Sequence, residues 1–158
     1  MKLLVILQTI VFLAYLAFIL SKFGGLLKSG KLHSISNSWY LLKRSQQPLF
    51  TLFAWGIGMP MLFYNHWLFF LAGAGLCFVG AATQFKSSMA STGLIHYIGA
   101  TLGIGLTAIG LWVVAGNWIP LLLLILGGGL MKWKIKLNFI FWFEVYAFAV
   151  LLPFLYLL

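Results

Sequence analysis

Acidic residues are almost missing from this sequence. It has one, Glu144, and no aspartate. Chemistry that needs two carboxylates from one chain is therefore excluded. Cysteine is nearly missing too. Cys77 stands alone inside an apolar stretch, so no internal disulfide can form and the redox compartment cannot be read from it. It reads as a small packing residue. Charge of either sign is scarce, at 7% of residues, where a soluble domain carries about a quarter. A soluble fold could not cover its surface with so few charges. The sequence also lacks a CxxC pair, a glycine-rich phosphate loop and any nucleophile–base motif.

Hydrocarbon takes the place of charge. Hydrophobic residues make up 63% of the chain, and the solvent that suits such a surface is lipid. A spanning helix needs about 20 mostly apolar residues. Six stretches approach that length: Leu3–Leu20, Pro48–Tyr64, His66–Thr83, Leu94–Ala115, Trp118–Met131 and Leu137–Leu158. The predicted fold is an all-α, polytopic helical bundle forming one transmembrane domain over residues 1–158. Leu3–Leu20 follows only Lys2 and lacks a small-x-small cleavage pattern, so it reads as a retained helix. Pro48 suits a first helical turn, and Pro153 predicts a bend near the end of the last span. Gly127-Gly128-Gly129 is expected to loosen the end of the fifth.

The cations follow a rule. The first gap carries Lys22, Lys28, Lys31, Lys43 and Arg44, the third Lys86, and the fifth Lys132, Lys134 and Lys136. The second and fourth gaps carry none. The net charge of +9 is thus distributed as membrane topology rather than as a nucleic-acid-binding face. The expected partners are the bilayer and its anionic headgroups, with a homo-oligomer as one arrangement and no nucleic acid. Odd gaps fall in the cytoplasm and both termini outside. The inner membrane of a bacterium is the expected location. The long first gap, 21–47, is a basic cytoplasmic loop. Ser36 or Asn37 can cap a short helix in it, and Trp39, Tyr40, Leu41 and Leu42 ahead of Lys43 and Arg44 suit an interfacial segment.

Small residues recur at helical spacing in two spans: Gly73, Cys77, Gly80, Ala81 and Gln84 in the third, and His96, Gly99, Ala100, Gly103, Thr107 and Gly110 in the fourth. Facing stripes of this kind let membrane helices pack closely, so Gly73, Gly80, Gly99 and Gly103 are read as packing residues between these two helices. His96 and Gln84 then point toward protein. Glu144 lies about 10 Å into the sixth span from the same side. Ionisable groups in spans are functional candidates. Glu144, His96 and Gln84 are therefore the expected substrate- or ion-binding cluster, with Tyr97, Ser36 and Asn37 from the Ser34–Ser38 segment beside it. The competing reading gives Glu144 a structural role, holding helices together. His33 in the basic loop and His66 in an outer turn are expected to stay apart from His96. That leaves any metal unassigned, and no cofactor is expected.

Ser34-Ile35-Ser36-Asn37-Ser38-Trp39-Tyr40, the run Gly73–Ala82 and His96-Tyr97-Ile98-Gly99-Ala100 resemble small six-span membrane proteins of bacteria and phages. More distantly, they resemble the DRAM-type family. The resemblance implies a six-helix bundle and no particular activity; Asn37 stands where that family has an acidic residue. A second comparison is with intramembrane metal hydrolases of the alkaline-ceramidase type, which use a Ser, an Asp and three His. Ser34 and Ser36 are present here, without an Asp. The expected function is a small channel, a transporter-like protein or a lipid-contacting bundle with a polar site in the cytoplasmic half. An intramembrane lipid hydrolase and a non-catalytic interaction module are the alternatives; the weight falls against an enzyme.

Overall fold

The computed structural model describes the backbone of residues 1–82 and 89–158, and the side chains of residues 1–82 and 96–158. Gln84 and Lys86 lie outside the described residues. Seven helices make up the regular structure there: α1 (Lys2–Lys28), α2 (Ser38–Leu41), α3 (Pro48–Met61), α4 (Trp67–Ala82), α5 (Met89–Ala115), α6 (Ile119–Lys134) and α7 (Phe139–Tyr156).

Six spans were expected, the fifth, Trp118–Met131, being the shortest of them. Among the described residues, three helices are long and apolar enough to cross a bilayer: Lys2–Lys28, His96–Ala115 and Phe139–Tyr156. Helices α3, α4 and α6 have 14, 16 and 16 residues. At 1.5 Å per residue they reach about 21–24 Å, short of a hydrocarbon core of about 30 Å. Helix α1 runs the other way. It was expected to stop at Leu20, yet it continues to Lys28 because nothing before Gly30 breaks it. Gly30, at φ +76, then ends it: Lys31 N–H bonds Leu26 C=O and Gly30 N–H bonds Leu27 C=O. Only a residue without a Cβ takes that left-handed position at no steric cost. The triple glycine in α6 does not loosen it. The helix passes through Gly127 and Gly128, and the rings of Tyr146 and Phe143 of α7 fill the space their missing side chains leave.

Helix α4 sits between α3 and α5, and it is small-sided on both faces. A Cβ on Gly73 would lie 2.5 Å from the carbonyl oxygen of Gly58 in α3, and one on Gly80 would lie 2.9 Å from Ala54. Thr51 Oγ1 and Trp55 Nε1 donate across this seam to the carbonyls of Gly80 and Cys77, each at 3.1 Å. The Gly73–Cys77–Gly80 stripe therefore meets α3 and not α5, which corrects the pairing expected from spacing. Gly99 and Gly103 of α5 do meet α4, through Gly75 and Leu76. Spacing identifies a small face but carries no information on which neighbour takes it.

A polar bond set deep in the bundle joins α1 to α3. Gln8 is fully buried; its amide donates to Ile57 C=O at 2.7 Å and accepts from Tyr64 Oη at 2.6 Å. Further along α1 an aromatic cluster continues the core: Tyr15 stacks on Phe53 at 4.5 Å between centroids, with Phe50 and Phe148 against them.

Replacing Gly73 with Ala forces its Cβ against the Gly58 carbonyl, so α3 and α4 must separate. Thermal or denaturant unfolding in detergent should show a loss of about 1–3 kcal/mol. Gly24→Ala is the matched control, because a Cβ there meets nothing within 4 Å. It should be neutral or gain up to about 1 kcal/mol.

Candidate functional site

The stretch between α1 and α3 was expected to be a basic loop over residues 21–47. Residues 21–28 instead complete α1, and residues 29–47 fold back into the bundle, which agrees with the expected place of the Ser34–Ser38 segment beside the polar site. Leu32, Ile35 and Ser38 are buried, while Tyr40 is exposed. Backbone buried outside regular helix loses its helical partners, so its polar groups must find others in the protein. They do. His33 C=O accepts Phe141 N–H at 2.9 Å, which occupies one of the unpaired amides at the start of α7. Asn138 holds the same helix start in a left-handed conformation, at φ 56, that asparagine tolerates. Its side-chain amide donates to Leu27 C=O at 2.5 Å, tying α7 to the end of α1. Lys22 hydrogen-bonds Gln46 at the far end of the segment.

Ile35 is held at both ends of its peptide groups. Its N–H donates to Glu144 Oε2 at 2.6 Å. Its C=O accepts Ser38 N–H at 3.1 Å and Ser38 Oγ at 2.5 Å. With the Ser38 proton committed there, Tyr15 supplies the proton of the 2.7 Å Tyr15–Ser38 bond. One chain of bonds thus runs from α1 through the folded-back segment to α7. Ser34, Ser36 and Asn37 serve the segment's own turn. Ser34 Oγ pairs with Ser36 Oγ at 2.8 Å and accepts Asn37 N–H at 3.0 Å, and Asn37 Oδ1 accepts His33 N–H at 3.3 Å.

Beside this clamp lies a groove of about 620 Å³ between α5, α6 and α7. Its wall is apolar along most of its length, with Ala108, Leu121, Leu124 and Ile125 among its lining. Its polar residues are His33, Ser34, His96, Tyr97, Thr101, Lys132 and Glu144. His33, Tyr97 and Lys132 are exposed. Gly105 and Gly129 also line it, and a Cβ at either would meet nothing within 4 Å. The groove exists because α6 is lightly packed: among its residues only Pro120 and Leu124 are buried. A small adjoining cavity of about 40 Å³, reaching Ile35 and Ser36, is lined by His96 and Glu144 as well.

Of the candidates named from sequence, Glu144, His96 and Tyr97 line one groove. Ser36 and Asn37 form the turn next to it, with Ser36 also on the small cavity. Gln84 lies outside the described residues. His33 was expected to stay apart from His96, but the folded-back segment carries it to the same groove. His66 stays at the α3–α4 turn, where its ring stacks on Trp67. Among the described residues, no three His, Cys, Asp or Glu side chains are grouped to hold a metal ion. The partner that sequence reasoning missed is the amide of Ile35, a backbone group that no side-chain pattern reveals. Asn138 carried a usable signal, an asparagine directly before an apolar run.

Glu144→Ala removes the acceptor for the Ile35 amide, and leaving such a donor unsatisfied costs about 1–3 kcal/mol. The stability loss should fall in that range. Glu144→Gln keeps one acceptor oxygen and should lose less. Hydrogen exchange at the Ile35 amide, resolved by NMR, should accelerate markedly in the Ala variant and only slightly in the Gln variant.

Comparison with known proteins adds no template: no family model, no curated protein and no solved structure matches this chain.

Proposed function

We propose that this chain is a six-crossing integral membrane protein that holds the hydrocarbon chain of a lipid in the α5–α6–α7 groove, with the polar part of the lipid at the Glu144 end. The observation that carries the reading is the groove itself. It is apolar along its length, large enough for one ligand of modest size, and it carries a few polar side chains. A water-filled ion path would be lined by polar groups throughout. The groove is also flanked by a helix whose outer face is Leu122, Leu123, Leu126 and Leu130, all exposed and suited to contact with bilayer chains.

Six crossings accommodate the short helices if the bilayer thins locally and the turn residues extend them. Two contacts support the expected orientation. The first and fifth gaps meet through Asn138–Leu27 and His33–Phe141, so their lysines share one side. Lys2 lies over the Tyr156 ring at 5.5 Å, which brings both termini to the other. By the positive-inside rule the lysine side is cytoplasmic. An intramembrane hydrolase is the second reading, because Ser34, His96 and Glu144 line the groove together. Release of a cleaved product from bound lipid would favour it.

Two measurements test the proposal. In native mass spectrometry from mild detergent, the wild-type protein should carry a lipid, and Gly105→Leu or Gly129→Leu should lose it without loss of thermal stability. Retention of lipid in both variants would move the site elsewhere. For topology, Cys77 is first replaced by Ala and single cysteines are placed beside Lys28 and Lys134. Both should resist a membrane-impermeant thiol reagent in intact cells and react after lysis.

A further inference from the structure

The groove reading leaves open which lipid it takes, and the polar end narrows the choice. Glu144 is the chain's only carboxylate. A carboxylate has about four lone-pair sites. Here one is used, by the Ile35 amide. Among the described residues Glu144 makes no other hydrogen bond and no ion pair, and yet it lines both the groove and the small cavity beside it. A half-buried acceptor that faces a groove with spare capacity favours a ligand that brings a donor.

Lys132 supplies the complementary requirement. It lines the same groove, is exposed, and lies two residues from the end of α6. Glu144 is five residues into α7, about 8 Å from that helix start. The cation is therefore nearer the membrane surface and the carboxylate deeper. No acidic side chain exists in this protein to neutralise Lys132 other than Glu144 itself, and the two form no ion pair. His33 lines the groove as well and is exposed.

Building on the groove reading, we propose that the ligand is a single-chain phospholipid with a free hydroxyl or amine at the root of its chain, the phosphate at Lys132 and the donor at Glu144. The order along the groove is then anion, donor, hydrocarbon, as in a lysophospholipid or a phosphorylated long-chain amine. A diacyl phospholipid does not fit this order. Both of its root oxygens are esterified, so that part of the molecule accepts hydrogen bonds and donates none to Glu144.

The test uses the purified full chain in detergent and a panel of C16 probes with binding read by native mass spectrometry and by competition. Monopalmitoyl lysophosphatidic acid and a phosphorylated C16 amino alcohol carry all three features, with hydroxyl and amine donors respectively. A deoxy analogue lacks the donor, monopalmitoylglycerol lacks the phosphate, and dipalmitoyl phosphatidic acid lacks the free donor and adds a chain. The first two should outcompete the deoxy analogue about ten-fold, from a hydrogen bond to a charged group. Monopalmitoylglycerol should bind about five-fold more weakly, and Lys132→Gln should erase that difference. Whichever of the first two binds tighter names the donor. Equal binding across the panel, still blocked by Gly105→Leu, would overturn this inference and leave the groove reading standing. Binding that Gly105→Leu does not affect, or no binding at all, would remove both.

Discussion

Between α1 and α3 the chain leaves helical geometry while still inside the bundle, and each backbone N–H and C=O buried there needs a partner in place of the helix's own. Every element around residues 29–47 is arranged to meet that demand. Glu144 takes the Ile35 amide, Ser38 takes its carbonyl, and His33 gives its own carbonyl to the start of α7. The exchange is reciprocal. The segment satisfies α7's first turn, and α7 supplies the carboxylate that holds the segment. Asn138 and Tyr15 extend the tie to the C-terminal end and the middle of α1.

That arrangement explains the groove. Helices α1, α3, α4 and α5 pack closely, because glycines and buried aromatic rings let them approach. The folded-back segment fills the space at one end of them, against α7. Helix α6 is left outside this body, touching mainly α7 through Gly127 and Gly128. The space between α5 and α6 is what remains, and it is apolar because every helix around it is. The few polar side chains on its wall come from α5, α6, α7 and the segment together. A site assembled from four elements in this way is sensitive to the segment's position, since Ile35 and any ligand donor address the same carboxylate.

The packing seams show how a sequence pattern can be right about residues and incomplete about partners. Gly73 and Gly80 lie at close approaches, but against α3; Gly99 and Gly103 lie against α4. The helical period reports a direction around one axis. Helix α4 has small residues in two directions, Gly73 and Gly80 in one and Gly75 in the other, and only the assembled bundle assigns a neighbour to each. The same holds for length. Apolar content predicted six spans, whereas among the described residues three helices reach full length; α3, for one, ends at Met61 although Leu62 and Phe63 beyond it are themselves apolar and mark no boundary in the sequence.

Composition alone determined that the chain is helical and suited to lipid, since so little charge leaves no other surface viable. It also singled out Glu144, because a lone carboxylate in a span is costly wherever it points. It could not supply the partner. Ile35 is an ordinary apolar residue, and what matters is its amide, which every non-proline residue carries. Its use depends on a segment 109 positions away from Glu144 folding back to one depth in the bundle. The same folding brings His33 to His96 across a gap that sequence distance and the basic loop had seemed to keep apart. Side-chain chemistry is written residue by residue; which backbone groups are left unpaired, and which carboxylate meets them, is settled only when the helices have packed.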